Sequence, residues 1–171
     1  GNVLTMLLAG EDTTANTLAW MIHLLWLNPD ALARAVAEVR AVCGDARELT
    51  MEQMAQLDYV EACAHETMRL KPVAPLIGFQ TLKDTQIGDV QVARDMVVIT
   101  VMRHDSVSEN HVKNASAFMP ERWLGDGDAS LVAQSAKRVS MPFGAGPRIC
   151  PGRYLALLEM KMAMATLLGR F

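Results

Sequence analysis

The chain has 171 residues, about the size of one domain. Its 51% apolar and 20% charged residues exclude a disordered, solvated chain. A net charge of −3, with only 3 Trp, 2 Tyr and 4 Phe, excludes a basic nucleic-acid footprint and a stacking platform for single strands. The 12 methionines suit core packing, where a flexible thioether fills irregular gaps. Cys43, Cys63 and Cys150 are odd in number and far apart, which argues against a disulfide framework and makes a reducing, cytoplasmic compartment the default. No CxxC pair supports a zinc site. No signal peptide is visible. The chain opens on Gly1 and closes inside a helical pattern, so both ends read as cut.

Residues 3–27 are apolar nearly all round, interrupted by Glu11-Asp12-Thr13-Thr14. The apolar run is too short, and its acids too costly, for a membrane span. It reads as a long buried helix with a polar site at its middle. Asn28-Pro29-Asp30 restarts a helix, with Asn28 as its cap and Gly44 just past its end. Thr50 and Gln53 fit a capping box for a helix over 51–56. A further helix covers about 60–70 and stops before Pro72. Within 72–102, residues 86–92 and 96–102 read as short strands around a turn at 93–95. Residues 103–142 read as irregular, and a final helix runs from Arg153.

Four segments carry chemistry. The first is the loop 143–152, which holds Cys150 among glycines and prolines just ahead of a helix. Glycine lets backbone turn sharply and approach a ligand. The following helix N-terminus and free loop N–H groups favour a thiolate, which acts as nucleophile or metal ligand. Arg148 adds a cation that can pair with an anion on the same ligand. A buried Cys in a tight turn is the commonplace alternative. The second segment is Ala9-Gly10-Glu11-Asp12-Thr13-Thr14. A glycine in mid-helix opens room over the helix, Thr13 can bond back to a carbonyl one turn earlier, and Asp12 offers a carboxyl for proton delivery. The plain alternative is a helix-start signature. The third is Glu66-Thr67-Met68-Arg69, an i,i+3 pair of a kind that is usually solvated. The fourth, Pro120-Glu121-Arg122-Trp123, says only loop.

Taken in this order, the segments resemble the cytochrome P450 family of heme-thiolate monooxygenases. Phe143, Gly146, Arg148, Cys150 and Gly152 match F-x-x-G-x-R-x-C-x-G. Ala9, Gly10, Asp12, Thr13 and Thr14 match A-G-x-[DE]-T-[TS]. Glu66 and Arg69 match E-x-x-R, and Pro120-Glu121-Arg122 matches P-E-R. The resemblance covers the whole chain, while a full member is considerably longer. It implies a single partial domain, mainly α with a small β region. This is a partial cytochrome P450 fold, from the central oxygen-site helix through the helix after the Cys loop. It implies heme b as cofactor, with Cys150 as the axial iron ligand, whose electron donation favours O–O cleavage. Arg148 would meet a heme carboxylate and Phe143 would pack by the sulfur. Gly144, Gly146, Ile149 and Gly152 complete the cofactor loop. Thr13 and Asp12 would be the catalytic pair for oxygen activation and proton relay, with space left by Ala9 and Gly10. Glu66, Arg69 and Arg122 would form a buried structural triad.

The implied reaction inserts one atom of O2 into an apolar small molecule. Its electrons come ultimately from NAD(P)H through a ferredoxin or flavoprotein reductase. A heme-thiolate isomerase or peroxygenase, or a non-catalytic helical fragment binding no heme, are the alternatives. Intact Asp12-Thr13 favours the first reading. Membrane anchoring, where the family has it, lies in an N-terminal part. Two departures stand out. Leu76-Ile77-Gly78-Phe79-Gln80 lacks a basic residue common in the family, which leaves one heme-carboxylate contact unassigned. Arg103-His104-Asp105-Ser106 replaces H-R-D-P. Met68, Val73, Ala74, Leu76 and Ile77 could line an apolar pocket, and Cys43 and Cys63 read as plain helix residues.

Overall fold

The structure, a computed structural model, describes residues 2–44, 48–125 and 136–171. Helix α1 spans Asn2–Leu27 without a break. Its central polar side chains bond back onto their own helix: Thr13 Oγ1 donates to Ala9 O (2.7 Å), Asn16 Nδ2 to Asp12 O (2.8 Å) and Thr17 Oγ1 to Thr13 O (2.8 Å). Such bonds satisfy a hydroxyl or amide locally and let an apolar helix carry it. Only one stripe of α1 is buried, through Thr14, Thr17, Met21, Leu24 and Leu25. Leu4, Leu7 and Leu8 are more than 60% exposed, so the expectation of a buried helix holds for the C-terminal half alone.

Asn28 does not cap the next helix. Its Nδ2 donates backwards to Leu24 O (2.7 Å), and its N–H to Leu25 O (3.1 Å), closing the end of α1 instead. Those carbonyls have no partner within the helix, which is why an amide side chain is drawn to them. Helix α2, Pro29–Cys43, buries Ala31, Ala35, Val39 and Cys43 at four-residue spacing and ends at Gly44, whose φ is +55°. Thr50 and Gln53 form the expected capping box on α3, Met51–Ala55.

Helix α4, Asp58–Leu70, is the centre of the fold. From Tyr59 to Leu70 every residue but Glu61 and His65 is buried. Its N-terminus is held by α2: Glu38 Oε1 and Oε2 accept the N–H groups of Tyr59 (2.7 Å) and Val60 (2.9 Å). A carboxylate there satisfies orphan donors and complements the helix dipole.

The strand region differs from the expectation. Strands β2, Thr85–Ile87, and β3, Val90–Val92, form a hairpin turning through Gly88 (φ +61°), so 86–92 is not one strand. Strand β4, Val97–Val101, pairs antiparallel with β1, Leu76–Gln80, a stretch without strand alternation in its sequence. A short helix α5, Met102–Ser106, opens the stretch read as irregular. A 3-10 turn at Pro120–Trp123, helix α6 (Ala136–Val139), a loop and helix α7 (Arg153–Arg170) complete the chain. Helices α1, α2, α4 and α7 enclose the main core, where Met21, Leu25, Val39, Leu57, Val60, Met160 and Met164 are buried.

Glu66 and Arg69, a pair that reads as solvated from its spacing alone and as buried from the family resemblance, are both 0% exposed. Arg69 uses all its donors. Nε and Nη2 form a fork on Glu66 Oε2 (2.8 Å) and Oε1 (2.7 Å). Nη1 reaches Ser106 O (2.6 Å) and Ala115 O (2.7 Å), and Nη2 also reaches Ala117 O (3.0 Å). Glu66 further accepts Met119 N–H (2.9 Å), Arg122 Nε (3.1 Å) and Trp123 Nε1 (2.9 Å). Arg122 continues to Lys113 O (2.6 Å) and Asn114 O (2.7 Å). Burial alone would raise the Glu66 carboxyl, but the bonds and charge of Arg69, with Met119 N–H and Trp123, hold it below the usual carboxylate range.

Beside this network, His65 stacks on Trp123 at 5.0 Å, and its buried Nδ1 has no hydrogen-bond partner among the described residues. Burial lowers His65, Glu61 opposes that, and Lys137 and Lys161 add to it. Lys161 of α7 in turn pairs with Glu61.

Two predictions follow from these charges. Arg69→Met leaves Glu66 buried without its cation and should cost about 3–5 kcal/mol in urea unfolding; a loss below about 1 kcal/mol would show that the pair does not hold the fold. Because His65 is depressed in the folded state, the unfolded state takes up its proton first, so stability falls as pH drops below about 6.5. His65→Phe should flatten that limb of a melting-temperature profile, and an unchanged slope would assign it to other groups.

Candidate cofactor site at the Cys150 loop

The loop is built by closure. Ser140 N–H donates to Ala136 O (2.9 Å) at the end of α6, and Gly144 N–H to Met141 O (2.9 Å). Ile149 N–H donates to Gly146 O (3.1 Å), and Cys150 N–H returns to Phe143 O (2.8 Å). Gly144 (φ +71°) and Gly146 (φ +68°) make the two left-handed turns, where a side chain would strain the backbone. The Phe143 ring packs against the main core and anchors the start of the loop. Gly152 is the N-cap of α7, and its carbonyl accepts Ala156 N–H (2.9 Å). A Cβ at 152 would stand 3.9 Å from Cys150 Sγ, an ordinary contact distance.

Cys150 is a free, half-buried thiol. The other two cysteines are different. Burial pushes the Cys63 thiol well up, with Glu121, Glu38 and Glu66 adding to the shift against Arg34. Burial, then Glu38, raises Cys43. Both stay core thiols.

Among the described residues no group of three or more His, Cys, Asp or Glu side chains could hold a metal ion. A lone sulfur donor suits a metal that arrives with most of its ligands, as in a macrocycle. Arg148 and Ile149 are exposed on the same loop, and Arg148 makes no ion pair among the described residues. A single sulfur donor, an open glycine loop, an apolar flank and a guanidinium for a carboxylate fit heme b.

Ala9, Gly10, Asp12 and Thr13 lie on the exposed half of α1. A Cβ on Gly10 would meet nothing within 4 Å, so no protein neighbour demands glycine there. Thr13 spends its hydroxyl proton on Ala9 O and keeps its oxygen as an acceptor. Among the described residues no hydrogen bond or ion pair joins Asp12 or Thr13 to the Cys150 loop, and the two segments are related through the packing of α1 on α7. By contrast, Glu66, Arg69 and Arg122 meet directly.

Sequence reading missed Glu38, Ser106 and Trp123. Trp123 had a signal, standing next to Arg122 at the end of the loop. The carbonyls of Ser106, Ala115 and Ala117 had none, because a backbone acceptor leaves no mark on residue type.

Residues 1–171 match a family model described as cytochrome P450. Methyltetrahydroprotoberberine 14-monooxygenase of Papaver somniferum is 34% identical over 170 residues, covering 98% of this chain and 32% of that protein. The mitochondrial 25-hydroxyvitamin D-1 alpha hydroxylase of Homo sapiens is 34% identical over 173 residues, covering 100% and 33%. A crystal structure of the cytochrome P450DA heme domain superposes with a TM-score of 0.87 at 28% identity, covering 97% of this chain and 36% of that one. The chain thus spans about a third of the length of the curated relatives it matches. The Cys loop, the α1 segment and the buried Glu66–Arg69 pair stand together with a family match over every residue, and the chain belongs to the cytochrome P450 family.

Proposed function

We propose that this chain carries the ligand loop and the oxygen-activating helix of a heme-thiolate monooxygenase. The observation that carries the reading is Cys150, a free thiol on a closed glycine loop at the start of α7. Heme b, when bound, supplies O2 activation, assisted by electron donation from an axial thiolate.

The chain's own residues do the rest. The Cys150 sulfur would be the protein's donor to the heme iron, its backbone held by the bond from Cys150 N–H to Phe143 O. Gly144, Gly146 and Gly152 let the backbone approach a flat group, with Phe143 and Ile149 as its apolar border. Arg148 pairs with a carboxylate of the cofactor. On α1, Ala9 and Gly10 keep space for O2 and substrate. The Thr13 oxygen accepts a hydrogen bond at the reacting face, and the exposed Asp12 carboxyl delivers protons toward it. Glu66, Arg69 and Arg122 hold the stretch that leads to the loop.

The substrate is an apolar small molecule, and electrons arrive from NAD(P)H through a ferredoxin or flavoprotein reductase. Both relatives named above are an oxygenase and a hydroxylase by name, which supports this class. Asp12 beside Thr13 favours it over an isomerase. No helix among the described residues is long and apolar enough to cross a membrane.

The reduced, CO-bound spectrum of the heme-loaded protein should be of the thiolate type, and Cys150→Ala should abolish it; a variant that kept that spectrum would refute the ligand. Thr13→Ala should lower product per electron consumed by roughly tenfold or more and release hydrogen peroxide instead. Unchanged coupling would reject the role of Thr13.

A further inference from the structure

Glu121 stands between two partners that the buried network does not use. Its Oε1 accepts Arg34 Nη1 of α2 (2.9 Å) and the Tyr59 hydroxyl of α4 (3.0 Å). The Arg34 guanidinium lies 4.3 Å over the Tyr59 ring. Tyr59 is 3% exposed, and Glu38 holds its backbone N–H at 2.7 Å, so the hydroxyl projects from a fixed base. Burial first, then its bond to Glu121, pushes the Tyr59 hydroxyl well up and keeps it a donor. The next residue, Arg122, binds Glu66 two turns further along α4. Adjacent residues of one turn are thus tied to two separate points on α4. Met119, Arg122 and Trp123 hold the turn at Glu66, and Glu121 adds a second anchor at the first turn of α4.

We infer that Glu121, clamped by Arg34 and Tyr59, is a positioning residue for the Cys150 loop. The path from one to the other is contiguous. Trp123, fixed by Glu66 Oε2 and the His65 stack, packs with the small cluster that includes Ala136 and Val139 of α6. Helix α6 runs through the buried Ser140 into Met141 and Phe143, whose carbonyls accept Gly144 N–H and Cys150 N–H. A turn that swings at Glu121 shifts Trp123, then α6, then the first post of the loop. The Arg34–Glu121 pair is half exposed and by itself worth little. Its effect comes from sharing one oxygen with a buried phenol. The importance of the clamp for function rests on Cys150 being the cofactor ligand.

The test is amide hydrogen exchange across residues 140–150 in the intact protein, with the rate of loss of the thiolate-type CO spectrum in the heme-loaded form. Glu121→Ala and Tyr59→Phe should each speed exchange in 140–150 by roughly fivefold, the scale of one exposed charged contact, and leave the α2–α7 core unchanged. Glu121→Gln, which keeps an acceptor oxygen, should recover most of the protection. The spectral loss should quicken by a similar factor. Unchanged exchange in 140–150, or a rise that the core shares, overturns the clamp. A protein that never shows the thiolate spectrum instead overturns the ligand reading, and the exchange measurement still decides the clamp.

Discussion

Taking Arg69 and Glu66 out of water together is costly, because each ion loses its hydration. The fold offsets that cost by filling the hydrogen-bonding capacity of both side chains. Arg69 spends its donors on one carboxylate and on the carbonyls of Ser106, Ala115 and Ala117. Those carbonyls belong to a stretch with almost no regular structure, where backbone groups lack ladder partners. A guanidinium with a planar fork of fixed donors supplies what a strand neighbour would otherwise supply, and an ammonium could not. The stretch from α5 to the 3-10 turn is ordered by buried side chains, Arg69 and Glu66 with Arg122, more than by its own short turns.

That arrangement makes α4 the reference frame for both ends of the site. Its first turn is fixed to α2 through Glu38 and to α7 through Glu61 and Lys161. Its buried third turn is fixed to the irregular stretch through Glu66 and Arg69. Trp123 then passes the order of the network to α6, and α6 sets where the loop begins. The loop contributes only its own closure: two left-handed glycines and the bond from Cys150 N–H to Phe143 O. Positioning of Cys150 is therefore mostly a property of residues far from it in sequence.

This explains which parts were legible. Helices whose signals are local came through: the Thr50–Gln53 box, the Gly44 stop and the end of α4 before Pro72 all follow from side chains acting within one turn. The strand over 96–102 came through as β4, but its partner β1 and the split of 86–92 did not, because pairing is not local. Leu76–Gln80 shows no alternation and becomes a strand only because Val97–Val101 lies beside it. The turn at Gly88-Asp89 did carry a hairpin signal, overridden by the β-branched residues around it. Asn28 failed for another reason. It had two helix ends within reach, and the carbonyls of α1 won. The buried state of Glu66–Arg69 was unreadable from spacing alone, since an i,i+3 pair looks the same in water and in a core; the family resemblance, not the residues, implied it.

The three cysteines show how environment separates identical side chains. Cys63 sits on α4 at 0% exposure, among Glu38, Glu66 and Glu121, which disfavour a second negative charge beside them. Cys43 is also buried, with Glu38 as its charged neighbour. Both positions reward a small apolar group and penalise an anion. Cys150 is held instead by backbone, at the start of a long helix, with Arg148 nearby in sequence and no described carboxylate bonded to it. The carboxylates that add to burial in raising Cys63 are the ones that organise the fold: Glu66 binds Arg69, Glu38 caps α4, and Glu121 ties α2 to α4. The fold thus gathers these three acids around the structural helix, and among the described residues none of them bonds to the Cys150 loop.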